Sequence, residues 1–121
     1  MALSQIGQIT LPVSNPDASE AFYRDKLGLP LLFRYGHLVF FNCNGVRLML
    51  EGNAKDVATP TGVCLYFKIE GIEKRWDTMQ QNGVVFEDEP HLIFKMPDHE
   101  LWMVFLRDPD GNLLALMEEK R

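Results

Sequence analysis

Basic residues, cysteines and long apolar runs are all scarce in this chain, and each scarcity removes a class of function. Lysine and arginine together number 12 against 17 aspartates and glutamates, a net charge of −5. Nucleic-acid binding rests on basic patches that neutralise phosphates, so neither DNA nor RNA is an expected partner. No apolar stretch approaches the ~20 residues that cross a bilayer. The start, Met1-Ala2-Leu3-Ser4-Gln5, has no basic segment followed by an apolar block. No membrane association and no secretory signal are therefore expected, and the expected compartment is the cytoplasm. The only cysteines, Cys43 and Cys64, lie far apart in apolar surroundings and read as two buried, reduced thiols. A CxxC pair, a glycine-rich phosphate loop, a nucleophile elbow and a basic stripe are all missing.

What is present is ordinary globular material: 121 residues, 46% apolar, 11% aromatic and 24% charged. That length suits one domain with a core of its own. Residues 6–13 alternate, with Ile9, Leu11 and Val13 on one face, and predict a half-buried strand. Asn15-Pro16-Asp17 then opens a helix. Asn15 caps free N–H groups, Pro16 suits the first turn, and Asp17 favours the positive end of the dipole. Ala18, Phe22 and Leu27 are expected on its buried side, with Gly28 as the stop. Three short strands follow at 30–34, 37–42 and 46–51, and Asn44-Gly45 is a strong hairpin signal.

The order then recurs. A strand is expected at 63–69 and a helix at 71–81, with Ile72, Trp76 and Met79 on one face. Strands follow near 84–88, 91–95, 100–106 and 113–118, the last after the Asp110-Gly111 turn. The expected fold is α+β: one domain over 1–121, made of two βαβββ modules at 5–51 and 62–119 with a polar linker at 52–61. Each helix must cover one face of its sheet. The two sheets are expected to curve side by side into a cup whose inner face takes a ligand.

At this point two segments carry a family likeness. Phe22-Tyr23-Arg24-Asp25-Lys26-Leu27-Gly28-Leu29 resembles the "FYxxxLG" helix end of the vicinal oxygen chelate superfamily. That group includes glyoxalases, extradiol dioxygenases, bleomycin-resistance proteins and methylmalonyl-CoA epimerase. Phe105-Leu106-Arg107-Asp108-Pro109-Asp110-Gly111-Asn112 resembles its "F-x-x-DPDGN" hairpin. Both motifs read as fold markers, one ending a helix and one turning a hairpin. They do not specify an activity. The resemblance also implies a homodimer.

Metal-using members of the superfamily place ligands on four cup strands. Counted from the motifs, those positions fall here on Gln8, Met49, Cys64 and Ala115. Ala115 has no donor atom, and the Met49 thioether is a poor ligand for hard or borderline ions. No cofactor is expected, and a divalent metal is disfavoured. The metal alternative that survives is Gln8–Glu51–Cys64, with Glu51 roughly 7 Å along the strand from Met49.

Parity along the strands divides the remaining candidates. Ile9, Leu11, Leu48, Leu50, Leu65, Phe67, Ile69, Phe105, Leu114 and Leu116 are expected to face the helices. Gln8, Thr10, Arg47, Met49, Glu51, Cys64, Tyr66, Lys68, Trp102, Val104 and Ala115 are expected on the opposite face. From these, the expected ligand-binding residues are Gln8, Thr10, Arg47, Met49, Glu51, Cys64, Tyr66 and Trp102. Arg47, Glu51 and Lys68 also suit solvated strand ends, and Trp102 also suits a contact between chains. His37 reads as a surface residue. His91 and His99 bracket a hairpin that would bring them close, and His99 is the candidate general base. Lys68 is the group that would activate Cys64 as a nucleophile, whereas the simpler reading makes Cys64 a small wall residue.

The leading expectation is a protein that binds a small organic molecule without a conventional metal centre, as bleomycin-resistance proteins sequester their ligands. The alternative is an atypical lyase, isomerase or dioxygenase working through Gln8, Glu51, Cys64 and His99 on a small or thiol-conjugated substrate. A third reading is an accessory module with a vestigial cup.

Overall fold

The structure is a computed structural model that describes residues 3–52 and 62–121. The expected linker lies, apart from Gly52, outside the described residues. Two compact units divide the chain, Met1–Thr59 and Pro60–Arg121.

In the first unit the strands are β1 (Gln8–Pro12), β2 (Leu31–Tyr35), β3 (Leu38–Cys43) and β4 (Val46–Glu51), with α1 (Pro16–Ala21) after β1. The sheet order is β1-β4-β3-β2, with β1 parallel to β4 and the other pairs antiparallel. The Asn15 side chain caps α1, accepting from the N–H groups of Asp17 (3.1 Å) and Ala18 (3.2 Å). Its last turn widens into a π-helical turn over Phe22–Lys26. There the Leu27 N–H donates to the Phe22 carbonyl (3.1 Å) and Gly28 takes φ 77°.

The buried side of this helix is Ser19, Phe22 and Tyr23, while Ala18 is exposed. The expectation for Ala18 is corrected by one position, because Tyr23 fills the space against Phe41 (ring centroids 6.1 Å apart). Below lie Leu11, Val39, Phe41, Leu48 and Leu50, all buried. Gly52 closes the layer: a Cβ there would meet the Pro16 ring at 2.6 Å.

The second unit contains β5 (Leu65–Lys68), α2 (Ile72–Gln81), β6 (His91–Lys95), β7 (Glu100–Arg107) and β8 (Leu113–Lys120). Its order is β5-β8-β7-β6, with β5 parallel to β8. The strand expected near 84–88 is only a single bridge, Phe86 to Leu106. Helix α2 follows Gly71 at φ 72° and has no local side-chain cap. Instead Glu118, on β8, accepts from the N–H groups of Gly71 (2.9 Å) and Ile72 (3.0 Å). The β7–β8 turn is built on buried Asp108. Its Oδ1 accepts from the N–H groups of Asp110 (3.0 Å) and Asn112 (2.8 Å), and its Oδ2 accepts from Asn112 Nδ2 (2.9 Å). Both motifs of the sequence are thus seen at work as backbone devices.

Candidate binding faces of the two sheets

Residues paired across a sheet share a face, so the register fixes what stands opposite each helix. In the first sheet three rows run across the helix-free face. Gln8 pairs with Arg47 and Arg47 with Asn42. Thr10, Met49, Phe40 and Phe33 form the next row, and Pro12, Glu51, Leu38 and Tyr35 the third. The structure therefore brings Gln8, Thr10, Arg47, Met49 and Glu51 onto one surface, as the parity argument expects.

The contacts within that surface are specific. Gln8 Nε2 donates to Thr10 Oγ1 (3.3 Å) and approaches Met49 Sδ (3.9 Å). The Phe33 and Phe40 rings stack at 4.4 Å with 22° between planes. The Arg47 guanidinium sits 5.8 Å from the Phe40 ring centre. Phe33, Phe40 and Asn42 were not among the expected site residues. Their signal was present, because the two-residue Asn44-Gly45 turn has positive φ at both positions (53° and 98°). That fixes the register outward from Cys43–Val46 to Phe40–Met49.

In the second sheet Tyr66, Ala115 and Phe105 form a row, and Lys68, Met117, Met103 and His91 the next. Two expectations are corrected here. Phe105 lies opposite the helix, its ring 6.1 Å from Tyr66 and 6.3 Å from His91. Val104 and Trp102 lie on the helix side. Val104 is fully buried and pairs with Leu116, and Trp102 pairs with Glu118, the carboxylate that caps α2. Trp102 Nε1 donates to Glu100 (3.1 Å) and its ring carries Lys120 Nζ at 4.1 Å. Trp102 therefore does not share a face with Tyr66. Residues 101–106 are apolar at every position, so alternation carried no phase, and the pairing with β8 decided it.

Cys64 precedes β5 and is half-buried. Burial pushes its thiol pKa up, against the opposing effects of a hydrogen bond with Tyr66 and the charge of Arg107. Lys68 does not activate it, being paired with Glu119 at 3.2 Å. Burial likewise pushes the Cys43 thiol up.

His91 and His99 are not brought together, contrary to the hairpin expectation. His91 pairs with Met103, whereas His99 lies past the other end of the hairpin, after Lys95–Glu100. His99 Nδ1 meets Asp98 Oδ1 at 2.9 Å, and Arg121 holds Asp98 at 3.0 Å and Glu119 at 3.1 Å. Arg121, then His99, keep the Asp98 carboxyl below its ordinary range. This cluster borders a cleft of about 320 Å³, lined also by Lys95, Pro97 and Lys120.

The donor set at the four counted positions can be judged on this register. Gln8 and Met49 are neighbours, and Cys64 stands two residues before Tyr66, the partner of Ala115. The two pairs occupy equivalent places in their sheets. An amide, a thioether, a single thiol and a methyl do not supply the three or more nitrogen, oxygen or thiolate donors that a divalent site of this kind needs. Among the described residues no three His, Cys, Asp or Glu side chains cluster as a metal site.

Two βαβββ units with parallel outer-strand closure define a glyoxalase-like α+β protein. The chain belongs to the Glyoxalase/Bleomycin resistance protein/Dioxygenase superfamily, whose model matches residues 5–116. It is 27% identical over 126 residues to the uncharacterized protein YraH of Bacillus subtilis (strain 168), covering 90% of this chain and 94% of that one. A lactoylglutathione lyase from Agrobacterium tumefaciens superposes with TM-score 0.73 at 27% identity, over 97% of this chain and 95% of that one. A glyoxalase/bleomycin resistance protein/dioxygenase from Nocardioides shares the fold, with TM-score 0.78 at 18% identity, over 100% of this chain and 87% of that one. No helix among the described residues is long and apolar enough to cross a membrane.

Proposed function

We propose that this chain binds a small organic molecule on the helix-free face of its first sheet, without a divalent ion. One observation carries the reading: Gln8, Thr10, Met49, Phe40 and Phe33 put an amide, a hydroxyl, a thioether and a stacked aromatic pair on one surface. A few polar groups on an apolar floor is what such a ligand requires. The lactoylglutathione lyase likeness does not extend to a metal-dependent reaction here, because the counted donor positions carry an unsuitable set. The alternative, an atypical enzyme working through Gln8, Glu51, Cys64 and His99, needs Cys64 and His99 at one site. They flank opposite ends of β8, since Leu65 pairs with Leu114 and Glu100 with Lys120, roughly 20 Å along the strand.

Native mass spectrometry of the purified protein tests the metal half of the proposal, and near-stoichiometric nickel, zinc, iron or manganese overturns it. A fragment screen followed by amide NMR tests the binding half. Shifts are expected at Thr10 and Met49, and Gln8→Ala is expected to weaken the hits about fivefold. Unchanged affinity would show that the wrong face has been assigned. A homodimer is proposed as well, supported by exposed apolar residues on the outer strands: Leu31 and Leu32 on β2, and Leu92, Ile93 and Phe94 on β6. Its expected mass by light scattering is twice 13.9 kDa.

A further inference from the structure

Among the described residues, four of the six arginines have a carboxylate within ion-pair distance: Arg24, Arg34, Arg107 and Arg121. Arg75 lies on the exposed side of α2. Arg47 is different, because it stands on β4, an interior strand, with amides on both sides instead of acids. Its guanidinium lies over the face of Phe40, 5.8 Å from the ring centre. Asn42 Oδ1 is already occupied by the Gly45 N–H (2.9 Å), which leaves its Nδ2 as a donor beside the guanidinium. One row further, roughly 7 Å along the strands, lie Met49 and the stacked Phe40–Phe33 pair. One row beyond that stands Glu51, again on the same face.

The face thus runs from a cation with a neighbouring donor, past Met49 and the exposed Phe33 ring that stacks on buried Phe40, to a carboxylate. We propose that it selects a small aromatic monocarboxylate, with Arg47 and the Asn42 amide holding the anion and Phe33 and Met49 carrying the ring. This rests on the proposal that the face binds small organic molecules, and adds the ligand's class and its orientation. Glu51 at the far end disfavours a second negative group, so dicarboxylates are excluded by charge. A guanidinium offers a planar fork of donors that matches a carboxylate in two-point geometry.

The test compares phenylacetate with phenylacetamide, which matches it in shape but carries no charge, by NMR titration of the intact chain. Phenylacetate is expected to bind about tenfold tighter, shifting Thr10, Met49 and the Arg47 Nε–H signal together. Arg47→Gln is expected to erase that preference, and Arg47→Lys to retain part of it. Equal affinities, unchanged by Arg47→Gln, overturn the inference yet leave the binding face standing, because both probes still shift Thr10 and Met49. Shifts at Arg75 as large as those at Arg47 overturn it too, since they mean charge attraction without a site. Absence of any shift on this face from either probe overturns it as well; the fragment screen then decides the broader reading by itself.

Discussion

The two units share an element order and differ in how each secures its helix. In the first, the capping group is Asn15, immediately before α1, and the bonds are local. In the second, the cap is Glu118 on β8, 46 and 47 positions away from the N–H groups it binds. A local cap stabilises the helix even before the sheet forms. A distant carboxylate can act only when β8 is already in place, and it then ties helix to sheet. The ion pairs do not follow this division: Arg34 of β2 bridges Asp17 and Glu20 of α1, and Lys120 of β8 reaches Glu73 of α2, so each ties a helix to a strand of its own sheet. Two copies of one architecture therefore differ in where the helix cap comes from, the adjacent residue in one and a distant strand in the other.

The largest expected effect separates the helix-covered face of the first sheet from the helix-free face of the second. Phe41→Ala empties a fully buried site against Tyr23 and is expected to cost about 3–5 kcal/mol in urea unfolding. Phe105→Ala, on the face opposite α2, is expected to cost clearly less, because that ring is only half-buried. Equal losses would remove the distinction between core and binding face. Next comes the β7–β8 turn. Asp108→Ala leaves three donors without their acceptor and is expected to cost about 3 kcal/mol. The same denaturation curves would show it.

The capping comparison is sharper but smaller. Glu118→Ala is expected to cost about 2 kcal/mol, through two charge-assisted bonds, and Asn15→Ala about 1 kcal/mol. Amide hydrogen exchange should place the first loss in both α2 and β8 and the second in α1 alone. Loss confined to α2 in Glu118→Ala would show that the distant cap does not couple helix to sheet.

The smallest effect is on pH. Asp98 is held below its ordinary pKa by Arg121 and then His99. Such a carboxylate adds stability that is complete above its unfolded value and is lost as pH falls through the lower folded one. Asp98→Asn should therefore lower Tm slightly at neutral pH, and its curve should merge with the parent's as pH falls through the folded value. A difference from the parent that stays as large in acid as at neutral pH would contradict that assignment.

Much of this was legible in the chain. The Asn15-Pro16 start, the Gly28 stop and the Asn44-Gly45 and Asp110-Gly111 turns all act where the sequence places them, because each depends on backbone chemistry within a few residues. On the first sheet, parity set Gln8, Thr10, Arg47, Met49 and Glu51 on one face, since β1 and β4 alternate. It failed on β7, where residues 101–106 are apolar throughout, so Trp102 and Phe105 exchanged sides. It failed again at Ala18, because helix phase depended on which ring, Tyr23 in this case, found Phe41.

The amino-acid sequence by itself determined the family, the order of the elements and which donor atoms stand at the four counted positions. These follow from local turn chemistry and from side-chain donor atoms, which need no neighbours to be read. Only the tertiary structure decided that Glu118 caps α2, that Trp102 belongs to the helix side, and that Arg47 stands between two amides above Phe40. Each of those depends on which strand lies beside which and in what register. That choice is made by packing across the whole sheet and not by any one segment.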